Sequence, residues 1–128
     1  MRYVTILMSL MFAASSHAAA EVWPQGYLWE DGAEFELVVL YADGTAVYAE
    51  KETRSGNGSP YFVSSTVQWE ACNPDFDRLT AECISLGGAG FNGAEQESFG
   101  VMFNRRGGVL RTYTATGFGH VLKRIAGR

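Results

Sequence analysis

Histidine is almost missing from this chain: His17 and His120 are the only two, and His17 lies in an N-terminal stretch that reads as removable. Chemistry that needs several imidazoles, whether catalytic or metal-binding, is thereby excluded, so neither a metal nor a cofactor is expected. Cysteine is also scarce. Cys72 and Cys83 form an even pair with ten residues between them, unlike the two-residue spacing of redox pairs and zinc ligands. Long helical periodicity is lacking, which argues against a helical or α/β domain. Acidic residues stop at Glu97: from Ser98 to Arg128 there is none. No apolar segment long enough to span a bilayer follows the first twenty residues, so the domain is expected to lack a transmembrane anchor.

Those first twenty residues have the form of a secretory signal peptide. Met1-Arg2-Tyr3 is a short positive start, Val4–Ala14 a mostly apolar run, and Ala18-x-Ala20 a small-residue cleavage site. Cleavage is expected near Ala20–Glu21, leaving a single domain, residues 21–128, in the periplasm or secreted. An oxidising compartment predicts a Cys72–Cys83 disulfide, worth about 3 kcal/mol by closing a short loop. The expected mature chain is negative overall, and its charge is uneven. Residues 21–97 sum to −11 and residues 98–128 to +6. A negative exported domain is a poor partner for nucleic acid.

Strand-forming segments alternate with turn residues along the whole domain. Phe35–Tyr41 and Ala46–Glu52 flank Ala42-Asp43-Gly44-Thr45, where Asp-Gly predicts a two-residue hairpin turn. From Tyr61 to Glu70 the alternation puts Tyr61, Val63, Ser65, Val67 and Trp69 on one face and a mostly polar set on the other. Asn73-Pro74-Asp75 resembles a helix start, so one or two helical turns are expected near the disulfide, a pinned hairpin being the alternative. Gly87–Gly93 reads as a flexible connection. Ser98–Phe103, Val109–Thr116 and His120–Ile125 form a terminal meander with turns at Asn104–Gly108 and Gly117–Gly119. Seven to eight antiparallel strands give an all-β fold, a small up-and-down barrel or a two-sheet sandwich. The barrel is favoured because closure removes exposed edges. Trp29 is expected to cover one end of its core.

No catalytic constellation emerges. His120 reads as a solvent-facing strand residue, and no serine sits in a nucleophile elbow. Gly87-Gly-Ala-Gly90 lacks the lysine and helix of a phosphate loop, and Asp75-x-Asp77 lacks the further ligands of a calcium loop. The expectation is therefore binding without catalysis, with a small glycan hydrolase as the enzymatic rival. Two exposed segments are the binding candidates. One is Arg54–Tyr61, contributing Ser55, Asn57 and Tyr61. The other is the Asn104–Gly108 turn, which puts Arg105 and Arg106 at a hairpin tip with Arg111 on the adjoining strand, a set suited to a protein partner with an acidic surface.

The segment Ser55-Gly-Asn-Gly-Ser-Pro-Tyr61, followed by Trp69, resembles the Ser-Gly-x-x-Tyr segment and downstream tryptophan of the periplasmic C-type lysozyme inhibitors. The ending, Val101–Ile125, is similar in outline to the barrel of bacterial metalloprotease inhibitors. These resemblances imply a small exported barrel that inhibits a hydrolase, such as lysozyme or a protease, through residues of a loop. An accessory role in the cell envelope or in a larger assembly is the structural alternative. Oligomeric state is not set by any of these features.

Overall fold

The computed structural model describes residues 22–51, 61–92, 95–114 and 117–127. The expected signal peptide, residues 1–20, and the candidates Ser55 and Asn57 lie outside them. Eight antiparallel strands close into one barrel in sequence order: β1 (Gln25–Asp31), β2 (Glu34–Leu40), β3 (Thr45–Lys51), β4 (Tyr61–Ala71), β5 (Cys83–Asn92), β6 (Glu95–Arg106), β7 (Val109–Thr114) and β8 (Gly117–Ala126). Each strand pairs with its sequence neighbour, and β1 pairs with β8. The barrel form of the expectation is thus the observed one.

Period-two alternation fills the interior. Tyr27, Val38, Leu40, Val67, Trp69, Ile84, Leu86, Phe103, Leu110 and Leu122 point inward and are buried, interlocking as one core. Trp29 packs against one end of this core, as expected. The alternation of β4 is not continuous. Its pairing with β3 shifts register between Ala46 and Tyr48, and its pairing with β5 shifts between Val63 and Gln68. The described side chains of β4 follow the expected sets, with Val67 and Trp69 buried and Gln68 and Glu70 exposed.

The barrel has two unlike poles. The β2–β3 turn, the segment between β4 and β5, the β6–β7 turn and both described chain ends gather at one. The β1–β2 turn and the ends of β3, β5 and β7 lie at the other. The first pole is closed by the segment 72–82, pinned by the Cys72–Cys83 disulfide. No helix forms there, contrary to expectation. The Asn73 and Asp77 carboxamide and carboxylate accept the N–H of Asp75 and Leu79, and backbone bonds run from Phe76 to Asn73 and from Ala81 to Asp77. These bonds build successive tight turns, and the disulfide leaves no length for a helix to propagate.

Four other connections differ from the sequence reading. The Asp43-Gly44 hairpin has a three-residue loop, because Leu40 pairs with Ala46 and the Tyr41 N–H bonds the Thr45 carbonyl. Gly44, at φ +98°, supplies the left-handed residue this loop requires. Gly87–Gly90 is strand and not connection, held in a ten-pair ladder from Cys83–Asn104 to Asn92–Glu95. The β6–β7 turn is only Gly107-Gly108, both with positive φ, so Arg105 and Arg106 are strand residues. Gly117–Gly119 likewise belongs to β8 and not to a turn.

Candidate functional site

The second pole is acidic among the described residues. Glu30, Asp31, Glu34, Glu36, Glu50, Glu95 and Glu97 all sit on strand ends there. At its centre, Glu36 points into the barrel on the same face as Val38 and Leu40 and is only 3% exposed. The three-residue hairpin loop explains its neighbour. A two-residue turn would have set Glu36 opposite Lys51, but the longer loop slips the register by one and sets it opposite Glu50. Like charges directly across a ladder are unfavourable unless something separates them.

Tyr48 does so. Its hydroxyl donates to Glu36 Oε2 at 2.6 Å and lies 3.2 Å from Glu50 Oε2. Burial, and then the two carboxylates, push the phenol well above its ordinary value, so it remains a protonated donor. Glu36 Oε1 accepts from the Thr112 hydroxyl at 3.3 Å and meets His120 Nδ1 at 2.9 Å. The His120 ring stacks on Trp29, with centroids 3.6 Å apart and planes 5° from parallel. His120 is therefore not directed outward, although a third of its side chain stays exposed. It shares the inward face of β8 with Leu122, and its imidazole is held on one side by a carboxylate and on the other by an indole.

A recess of about 260 Å³ opens beside this cluster, lined by Tyr48, Glu50, Glu97, Phe99, Gly100 and Val101. The Tyr48 and Phe99 rings stack across it at 5.2 Å. Lys51 pairs with Tyr61 at the same pole, so the two residues that bound the 52–60 segment stand beside the acidic rim. Among the described residues, no group of three or more His, Cys, Asp or Glu is arranged to hold a metal ion.

The expected arginine set is divided. Arg105 faces inward at the closed pole and donates to the carbonyls of Arg78 and Ala81 at 2.9 and 2.8 Å. Its guanidinium and that of Arg78 both lie over the Trp69 ring, each 5.5 Å from the centroid. Arg106 faces outward and pairs with Glu82 at 3.1 Å, both side chains being exposed. Arg111 is also outward, two rungs along β7. Arg105 thus clamps the disulfide segment, while Arg106 and Arg111 share the outer wall. Tyr61 is at the far pole from all three.

Glu36, Tyr48, Thr112, Trp29 and His120 were not legible as a group. The one local signal is Glu36-x-Val38-x-Leu40, a lone carboxylate on an inward apolar face. Comparison with known protein families, curated proteins and solved structures finds no match to this chain.

Proposed function

We propose that this protein is an exported, non-catalytic binding protein that engages a protein partner at the acidic pole, its specific form being an inhibitor of a hydrolase such as lysozyme or a protease. The observation that carries the reading is the contrast between the poles. One is sealed by a disulfide-pinned segment and stacked arginines, and the other presents an acidic rim with an aromatic recess, next to the residues that bound the Ser55–Tyr61 segment. Rigid scaffolds commonly present binding residues on such an end. The rim suits a hydrolase with a basic surface around its cleft. The disulfide is consistent with an oxidising compartment, and among the described residues no helix is long and apolar enough to cross a membrane.

Binding is favoured over glycan hydrolysis by the state of the two inward carboxylates. A glycosidase needs a pair flanking the scissile bond. Here Glu36 and Glu50 converge on one phenol oxygen and do not flank a space between them. The accessory reading is supported by a different feature, the outer wall of β6–β8, which is acid-free from Ser98 onward.

The mature protein should be titrated into lysozymes and secreted proteases, with turnover of peptidoglycan followed in its presence and absence. Stoichiometric inhibition that weakens with salt, and that falls when Glu95 and Glu97 are replaced by Gln, is the expected result. No inhibition of any hydrolase, or turnover by the protein alone, would overturn it.

A further inference from the structure

The outer wall of β6, β7 and β8 runs from the closed pole and is separate from the acidic one. From Ser98 onward no residue is acidic, and the two carboxylates of β6, Glu95 and Glu97, lie at its far end on the acidic pole. The pairing register gathers those cations. On one rung Val109 lies between Arg106 and Lys123; on the next, Arg111 lies between Asn104 and Val121. Arg106, Arg111 and Lys123 are all exposed: Arg106 and Lys123 flank Val109, and Arg111 is the next outward residue along β7. Next along β6 and β7 come Met102 and Tyr113, 44% and 39% exposed. Glu82 reaches the wall from the disulfide segment and pairs with Arg106, and that pair is exposed enough to exchange for another partner.

Arginine, methionine and tyrosine are the residues enriched in protein interfaces, whereas an ordinary solvated face mixes charges of both signs. We propose that this wall is a docking surface for an acidic protein segment, which brings carboxylates to Arg106, Arg111 and Lys123 and lays an apolar side chain over Met102 and Tyr113. Charge complementarity identifies the occupant. A membrane is the weaker fit, because lipid-binding clusters gather about four to eight cations and this wall has three, on a chain that is negative overall. The inference goes beyond hydrolase binding, since it uses a second surface with the opposite preference in charge.

A benzophenone amino acid at position 102 in the exporting cell tests it, with the same probe at position 47 on the outer face of β3 as the control. The expected result is a discrete protein adduct from position 102 only, whose cross-linked peptide is rich in Asp and Glu. R111E/K123E should lower its yield at least tenfold while unfolding at the wild-type temperature. R111Q/K123Q serves if the reversal does not fold, and should also lower it. Equal yields from positions 102 and 47, adducts to lipid only, no adduct, or a yield indifferent to both charge variants would overturn the proposal. Hydrolase inhibition measured on R111E/K123E separates the two surfaces. Retained inhibition is expected, its loss would merge wall and pole and overturn the second surface, and failure of the inhibitor reading leaves the cross-linking result standing.

Discussion

Tyr48 stands between two carboxylates that the hairpin register forces together. A phenol can donate one proton, and here it goes to the buried Glu36 at 2.6 Å, with Glu50 at 3.2 Å as the second approach. Removing the hydroxyl leaves Glu36 short of a donor in the interior, so Tyr48→Phe should destabilise the fold by about 1–3 kcal/mol in urea unfolding near neutral pH. The sign of the pH dependence follows from the raised folded-state pKa. The contribution is complete below the ordinary tyrosine value and is lost as pH rises past it, because the unfolded chain then releases a proton that the folded one keeps. Stability of the wild type should therefore fall more steeply above about pH 10 than that of Tyr48→Phe. Parallel slopes would show that the phenol titrates freely. At the acidic end, Asp43 behaves oppositely. Its carboxylate accepts the Thr45 hydroxyl and N–H, which lowers its pKa, so its help to the hairpin is present above the ordinary carboxylate range and disappears on acidification.

At the scale of elements, the closed pole turns on one arginine. Arg105 was expected at a hairpin tip, interchangeable with Arg106, but the two-residue turn puts them on opposite sides of β6. Arg105→Ala should lose about 1.5–3 kcal/mol, since two carbonyl bonds to a charged donor go with it. Arg106→Ala should lose no more than about 1 kcal/mol, as its pair with Glu82 is solvated. Limited proteolysis should nick segment 72–82 faster in Arg105→Ala only; equal behaviour of the two variants would contradict the assignment. The disulfide acts on the same segment, and Cys72→Ala with Cys83→Ala should lose about 2–5 kcal/mol, read by thermal unfolding against the oxidised wild type.

The strand order and the inward face of Val67 and Trp69 were legible because turn residues and alternation are local signals. What was not legible depended on register. Asp43-Gly44 suits a two- or a three-residue loop, and the single residue between them decides whether Glu36 meets Lys51 or Glu50. Gly87–Gly90 looks like a connection because glycine weakens a strand by about 0.5–1 kcal/mol per residue. A ten-pair ladder with β6 offsets that loss, and only the partner strand reveals it. His120 was misplaced for the same reason: its partner Glu36 is 84 residues away.

For the molecule as a whole, the seam of the barrel is where its ends meet, and it is expected to open first. Only three register pairs join β1 to β8, Gly26–Ala126, Tyr27–Arg124 and Leu28–Lys123, with a shift after the first. The closure also joins residues at opposite ends of the chain, the kind of contact whose entropy is recovered last in folding. Arg124 reinforces it from inside. Its guanidinium donates to the Tyr27 hydroxyl at 2.8 Å, to Gln25 Oε1 at 3.3 Å and to the Gly127 carbonyl at 2.7 Å, and lies over the Tyr27 ring. Part of the basic character of the C-terminal strands is thus explained by closure. Arg105 and Arg124 meet carbonyls and aromatic faces inside the barrel. Arg124→Met keeps the aliphatic stem and removes the donors, so it should lose about 1.5–3 kcal/mol. The loss should be uneven in space. Amide exchange should rise first in β1 and β8, while β5 and β6, joined by the longest ladder, keep their protection until global unfolding. A uniform rise across all eight strands would mean that the barrel opens only as one unit, and that the seam is no weaker than the rest.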